Sequence, residues 1–245
     1  MVTTSLENLP SSKETLSTFV YEQLRQDILT VAILPGAKLP VRQLASRFGV
    51  GISPIREALN RLLADGLLTL SDHKGFAVTP MTVEAIEDIT LARCHLNAVA
   101  IRSSIEKGGE EWEEKVLVAY HRLSRAPRNE QCGIRSDQWE KAHRDFHSAL
   151  ISASGSRKLE GFCEQLFQDA ERYRVVSRRE ELRYGELVAE SDNHHHLEHQ
   201  ELLNAVLSRD ADEAARLLMS HFSRTRELFK AAAQANDIFR KQAEE

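Results

Sequence analysis

The first third of the chain contains short segments in which apolar residues recur at helical spacing. Apolar residues recur every three or four positions over residues 14–31 and again over residues 42–48, which predicts two amphipathic helices. The first segment is followed by Leu34-Pro35-Gly36 and the second by Gly49-Val50-Gly51, and turns rich in glycine and proline end helices. The pattern therefore predicts two helices before residue 52.

A third helix and a small sheet follow. Ser53 is suited to an N-cap and Pro54 to the first helical position, and the apolar face of the helix then carries Ile55, Leu59 and Leu62. Two short helices joined by a glycine-containing turn are typical of a helix-turn-helix, whose second helix enters the DNA major groove. Residues 67–70 and 76–78, with the polar turn 71–75 between them, predict a β wing.

The pattern changes at residue 81, where long segments with helical periodicity replace the short elements. These predicted helices span residues 82–106, 110–125, 136–154, 156–184, 192–208 and 210 to about 242. We therefore predict a mainly α fold, with a winged helix-turn-helix at residues 13–80 and an all-α antiparallel bundle of about six helices at residues 81–230. Residues 1–12 are expected to be disordered, and residues 231–245 to end the last helix.

Composition and charge narrow the class of protein. The chain has 245 residues and a net charge of −5, with no long apolar run and no cationic-apolar leader, so we expect a cytoplasmic protein without membrane association. An acidic total does not exclude DNA binding, because the charge on one face decides it. Basic residues do cluster in the first third, at Lys38, Arg42, Arg47, Arg56, Arg61 and Lys74. The three cysteines, Cys94, Cys132 and Cys163, have no metal-ligand spacing and are expected to be inert thiols.

Nine of the ten histidines lie between residues 95 and 221. His143 and His147 are four apart and share a helix face, whereas His199 and His221 each lie among apolar positions. Buried imidazoles are costly unless they are satisfied, and a divalent transition metal would satisfy them. Spacing alone also allows ordinary surface or hydrogen-bonded core histidines. The run at residues 194–196 is expected in a polar loop before a helix, as solvated or capping side chains.

The order of residues from 44 to 78 carries a specific resemblance. Its pieces are Leu44-Ala45, Gly49-Val50, Ser53 to Leu59, Leu62, Gly66-Leu67 and Gly75 to Val78. Together they resemble the winged helix of the GntR family of bacterial regulators. The resemblance implies contacts with operator DNA from Arg42, Ser53, Arg56, His73 and Lys74. Gly51 and Ile52 depart from the family, which often has polar or basic residues there, so base readout is expected to be weaker or differently distributed.

The helical region carries a second resemblance, through residues 146–150, Glu198-His199, Ala214-Ala215, Met219 and His221. These resemble the FCD ligand-binding domain of the FadR subfamily. The resemblance implies four metal ligands, which map onto His143, His147, His199 and His221. The family's acidic position is His143 here, and an all-histidine site favours zinc, with nickel or iron as alternatives, over manganese.

The same resemblance implies a small carboxylate effector beside the metal. Arg93 matches an arginine that is frequent in the family, although its usual glutamate companion is Asn97 here, and Arg174 is a further candidate for an effector clamp. Residues 137–139 and 170–174 resemble the group of repressors of glutarate and 4-aminobutyrate catabolism. The effector implied is therefore a dicarboxylate.

These expectations together predict a homodimeric, metabolite-sensing regulator rather than an enzyme, most simply a repressor that its effector releases from a palindromic operator. Two alternatives stay open. One is an architectural DNA-binding dimer with an inert helical domain. The other is a metal-dependent hydrolase or oxygenase, but the chain has no His-Glu-x-x-His helix, and only Glu198 and Glu201 lie beside His199 as candidate acids or bases.

Overall fold

The computed structural model describes residues 15–71, 75–127, 136–183 and 188–235. The chain divides into two compact units, residues 1–81 and 82–245, and each is described by itself.

The N-terminal unit contains three helices and a two-stranded antiparallel sheet. The elements are α1 (Leu16–Leu29), α2 (Val41–Phe48), α3 (Ile52–Ala64), β1 (Leu68–Ser71) and β2 (Gly75–Val78). The strands pair in the register Leu68 with Val78 and Ser71 with Gly75. This order is a helix-turn-helix followed by a wing, as predicted.

Packing of α1 against α3 forms the core of this unit. Val20 and Leu24 of α1 and Ile55 and Leu59 of α3 have no exposed surface, and each such side chain contributes about 1.5–3 kcal/mol on burial. Gly49 ends α2 in the left-handed conformation, with φ of 65°, where a glycine costs least. The turn that separates the two helices is therefore encoded locally.

The predicted N-cap of α3 is wrong. The helix begins at Ile52, its N-cap is Gly51, and no side-chain hydrogen bond caps it. Ser53 lies one position inside the first turn and is exposed. Pro54 then takes the third helical position, which is tolerated because the first turn needs no intrahelical N–H donor there.

The second unit is built of helices in the residues described. They are α4 (Val83–Lys107), α5 (Glu110–Arg125), α6 (Asp137–Ile151), α7 (Arg157–Arg183), α8 (Val188–Leu207) and α9 (Ala211–Ala235). Helices α4 and α9 run antiparallel, since Glu87 pairs with Lys230 at one end and Arg102 with Asp212 at the other. The predicted bundle of about six helices is confirmed.

The start of α8 differs from the predicted boundary, and the difference concerns the histidines at residues 194–196. Helix α8 begins at Val188 rather than near residue 192, and residues 194–196 are helical instead of lying in the polar loop that was expected for them. Ala189 and Glu190 are good helix formers, and they extend the helix although no capping signal marks its start. The His196 ring is half-buried and stacks on Tyr120, with ring centroids 6.2 Å apart.

Side chains from all six helices of this unit form the core around which the functional residues lie. Phe146 and Leu150 of α6, Val206 of α8 and Phe222 of α9 are buried together. Ser136 caps α6 by accepting a hydrogen bond from the Trp139 amide. That cap fixes where the inward face of α6 begins.

The described residues also bear on membrane association and on the cysteines. Within the ranges listed above, none of the helices combines the length and apolar character that a bilayer crossing requires. Cys94 and Cys163 are buried free thiols, and burial raises the pKa of Cys163 to about 11. Cys132 lies outside the described residues.

Candidate functional sites

Three of the predicted DNA-contacting side chains lie exposed on the helix-turn-helix. Arg42 is near the start of α2, and Ser53 and Arg56 are in the first turns of α3. Over the described parts of the chain, neither Arg42 nor Arg56 takes part in a hydrogen bond or an ion pair. Both guanidinium groups are thus free to meet a phosphate or a base edge. His73 and Lys74, predicted at the wing tip, lie outside the described residues.

The other arginines of the predicted basic cluster have partners within the unit. Arg47 forms an ion pair of 2.6 Å with Asp27. The Arg61 guanidinium lies 3.9 Å from the centroid of the Tyr21 ring and donates a hydrogen bond to Thr18. The structure therefore separates arginines that hold the unit together from arginines that face outward.

Four histidines converge inside the helical unit. His143 and His147 come from α6, His199 from α8 and His221 from α9, and all four are buried. Each ring offers one nitrogen, and these nitrogens all lie within 4.8 Å of one another. The structure therefore brings together all four residues that the resemblance to the FCD domain singled out.

Helix periodicity explains why these rings point inward. On α6, His143 and His147 share a face with the buried residues Trp139 and Phe146. The Nε2 atoms of His143 and His147 are 3.1 Å apart. The packing of α6 against its neighbours thus places two imidazoles edge to edge in the core.

The protonation of the cluster suits a metal. Burial, followed by repulsion from neighbouring cationic groups, lowers the pKa of His143 and of His147 well below the usual value. Both rings are therefore neutral near pH 7, the form in which an imidazole can bind a metal. Four imidazoles without a carboxylate fit a borderline transition ion such as zinc, and not the oxygen-seeking calcium or magnesium.

Glu198 supports one of the four rings. Its Oε2 atom lies 2.9 Å from Nδ1 of His221, and Arg224 lies 3.5 Å from its other oxygen. A carboxylate on Nδ1 keeps the proton there and leaves Nε2 free to act as a ligand, the usual arrangement around protein-bound metals. The sequence indicated Glu198 only as a candidate acid or base beside His199 and not as a partner of His221, because His221 is 23 residues away and on another helix.

A different group supports His143. The Arg174 guanidinium places Nη1 2.8 Å from Nδ1 of His143 and donates from Nη2 to Glu140 at 2.9 Å. The Trp139 ring stacks on the same imidazole, with centroids 4.7 Å apart and planes 16° from parallel. Arg174, predicted to bind an effector, therefore holds a histidine of the cluster in this structure.

A narrow cavity lies beside the cluster. It is lined by Arg93, Asn97, His147, Cys163, Phe167 and Phe222, among others. Its volume is about 10 Å³, room for about one water molecule. A larger ligand would have to displace side chains from it.

Arg93 is the cationic side chain among the residues that line this cavity, and Glu164 is the anionic one. Arg93 is buried, its guanidinium lies 3.9 Å from the centroid of the Phe222 ring, and its Nε atom has no hydrogen-bond partner among the residues described. Burial, with repulsion from Arg174, lowers the pKa of Arg93 to about 9. The guanidinium is still protonated near neutral pH, so a positive charge lies beside the histidines, and the nearby Asp169 carboxylate offsets only part of the effect of burial.

Comparison with known proteins identifies the two units. Residues 16–78 match the family of bacterial regulatory proteins called gntR, and residues 88–224 match the FCD domain. The chain belongs to the GntR family. Both resemblances drawn from sequence are thereby confirmed, and this FCD-containing GntR protein is a transcriptional regulator.

Relatives and solved structures agree with that assignment. The HTH-type transcriptional repressor GlaR of Escherichia coli (strain K12) is 35% identical over 201 residues, covering 82% of this chain and 90% of GlaR. The uncharacterized regulator BphR of Paraburkholderia xenovorans (strain LB400) is 36% identical over 206 residues, covering 82% of this chain and 80% of BphR. The structure titled E. coli McbR/YncC shares the fold, with a TM-score of 0.66 at 21% identity, over 91% of this chain and 100% of that one. These relatives are regulators, which confirms the prediction that the chain is not an enzyme.

Proposed function

We propose that this GntR regulator is a metabolite-responsive repressor whose histidine cluster holds a divalent transition metal. The observation that carries the proposal is the convergence of four buried imidazole nitrogens within 4.8 Å. Groups of this kind are expensive to bury without a partner that accepts their lone pairs. The ion would be zinc, with nickel or ferrous iron as alternatives.

The bound ion would supply a Lewis-acidic position for a carboxylate oxygen. The chain's own residues then select what docks there. Arg93 contributes a buried positive charge on the cavity side of His147, and a charge-assisted bond to a carboxylate would compensate it. Arg174, which is bonded to His143 and Glu140, would add positive charge beside the cluster and so favour an anionic effector without leaving these partners. A small dicarboxylate could satisfy the ion with one end and an arginine with the other.

The N-terminal unit would bind operator DNA through α2, α3 and the wing. Arg42 and Arg56 would contact phosphates or base edges, Ser53 would donate from the first turn of α3, and His73 and Lys74 would reach the backbone from the wing. Effector binding must favour a state with lower operator affinity for the regulator to respond. The repressor named GlaR supports repression as the mode of action.

Helix α4 offers a surface for the proposed homodimer. Leu91 and Val99 are each 59% exposed and lie on one stripe with His95 between them. A second copy placed antiparallel about a twofold axis at His95 would set Leu91 opposite the partner's Val99, and Asp88 opposite the partner's Arg102. Leu91→Asp should therefore give monomers in light scattering, whereas Val118→Asp, an exposed site on α5, should not. Dimers of Leu91→Asp as stable as wild type would rule out this surface.

The proposed function is tested by operator release. Operator DNA, selected from a random pool by the wild-type protein, is titrated with zinc-loaded or chelator-treated protein in the presence of succinate, glutarate or the monocarboxylate butyrate. We expect a dicarboxylate to weaken operator binding only in the zinc-loaded protein, and by at least about fivefold, the low end of typical coupling. Equal operator affinity with and without every carboxylate, in protein that does bind zinc, would favour an architectural role.

A further inference from the structure

The four histidines do not have equivalent partners. His221 faces a carboxylate through Nδ1, whereas His143 faces a guanidinium through the same atom. Arginine has only N–H donors and stays protonated in proteins. The Nδ1 atom of His143 must therefore accept the hydrogen bond from Arg174, and a neutral ring then carries its proton on Nε2.

That Nε2 atom is the one that points into the cluster. It lies 3.1 Å from Nε2 of His147, so His143 donates and His147 accepts. A ring that binds a metal through Nε2 needs its proton on Nδ1, facing an acceptor. Glu198 provides that arrangement for His221, and Arg174 provides the reverse for His143.

Further contacts hold Arg174 and the His143 ring in this reversed arrangement. Glu140 accepts from the other Nη atom of Arg174 at 2.9 Å, which pairs the arginine's charge. Trp139 stacks on the His143 ring from the side. Turning the ring over would break the bond to Arg174, and moving Arg174 would leave Glu140 without that ion pair.

We propose that His147, His199 and His221 alone ligate the metal, and that His143 donates its Nε2–H to the oxygen bound at the metal's open position. The inference rests on the metal centre proposed above. Three neutral ligands leave the ion's full positive charge in the site. A donor beside it then selects an anionic oxygen, such as a carboxylate, over an amine. His143 is thus a specificity residue for the effector, and Arg174 is the positioning residue that fixes its tautomer.

Variants of His143 test whether this residue is a metal ligand or a hydrogen-bond donor to the effector. Zinc affinity is measured by competition with a chromophoric chelator for wild type, His143→Ala, His143→Gln and His199→Ala. We expect both His143 variants to stay within about threefold of wild type, while His199→Ala loses more than about 100-fold, beyond the effect of an outer partner. Affinity of the zinc-loaded protein for glutarate and acetate should fall by about tenfold in His143→Ala. His143→Gln, whose amide can still donate, should recover part of that loss.

A tautomer measurement gives an independent answer. Long-range ¹H–¹⁵N correlation spectra of zinc-loaded protein should show His143 with a protonated Nε2 and an unprotonated Nδ1, and the other three rings with a metal-bound nitrogen. A zinc loss in His143→Ala equal to that in His199→Ala, or a metal-bound nitrogen on His143, would overturn the inference alone. Wild-type protein that binds no zinc would overturn the metal centre as well. The zinc and tautomer readouts decide the matter even if neither carboxylate binds.

Discussion

The two units carry their functional side chains in opposite settings. In the N-terminal unit Arg42 and Arg56 are exposed, and in the part described neither forms a hydrogen bond or ion pair, whereas in the helical unit the four histidines are buried and touch one another. A DNA contact needs side chains that reach out of the fold, and a metal centre needs side chains that the fold holds still. Substitutions in the first unit should therefore change binding with little change in stability, and substitutions in the second should change both.

The largest effect is expected where the cluster loses a ring. His199→Ala removes one buried nitrogen and should lower zinc affinity by more than about 100-fold, while zinc should no longer raise the thermal midpoint of the helical unit. Calorimetric titration and thermal unfolding with and without zinc measure both. His121→Ala, an exposed histidine on α5, is the matched control. A zinc-induced rise in midpoint equal to that of wild type would exclude His199 as a ligand.

The next effect concerns the outward-facing arginine of α3. Arg56→Ala should weaken operator binding by about 1–3 kcal/mol if the guanidinium reads a base, and should instead reduce the salt dependence by about one charge if it contacts a phosphate. The measurement is fluorescence anisotropy over a series of salt concentrations. Arg122→Ala removes an equal charge from an exposed site on α5 and should leave both quantities unchanged. Wild-type affinity and salt slope in Arg56→Ala would place the contact elsewhere.

A smaller effect is expected at the outer partner of His221. Glu198→Gln keeps the size of the side chain and an acceptor oxygen but removes the charge near Nδ1, so zinc affinity should fall by about tenfold. Glu201→Gln changes an exposed carboxylate on the same helix and serves as the control. If the two variants bind zinc equally well, the charge of Glu198 does not contribute to zinc affinity.

The smallest effect is expected at Arg61, and it tests whether this arginine stabilises the N-terminal unit instead of contacting DNA. Arg61→Ala removes the contact with Tyr21 and should destabilise this unit by about 1 kcal/mol in urea unfolding. Operator affinity of the folded protein should stay at the wild-type value. A loss of affinity as large as that of Arg56→Ala would mean that Arg61 also faces DNA.

Much of the fold follows from local pattern. The change from short elements to long helices near residue 81, the glycine turn after α2 and the bounds of α5 (Glu110–Arg125) are all visible in the order of apolar residues. Errors arose where the local signal was weak. Ser53 is a good capping residue, but Gly51, two positions earlier, is the N-cap of α3, and the start of α8 has no capping signal before its histidines.

The sequence allowed the four histidines of the site to be predicted, but not the side chains that support them. The spacing of His143 and His147 follows from one helix, but their meeting with His199 and His221 was implied by family resemblance and not by periodicity. The roles of Glu198 and Arg174 depend on side chains that meet across helices, 23 and 31 residues apart in sequence. Sequence pattern cannot tell which of two histidines faces a donor and which an acceptor, because tertiary packing decides it.

The most direct test of the account is the metal content of the wild-type protein. Native mass spectrometry of protein purified without chelator, and again after zinc addition and buffer exchange, counts the ions held by each folded chain. We predict one divalent transition ion per chain, retained through exchange and lost on unfolding. A folded chain that holds no ion even after zinc addition would contradict the central claim that the histidine cluster is a metal centre.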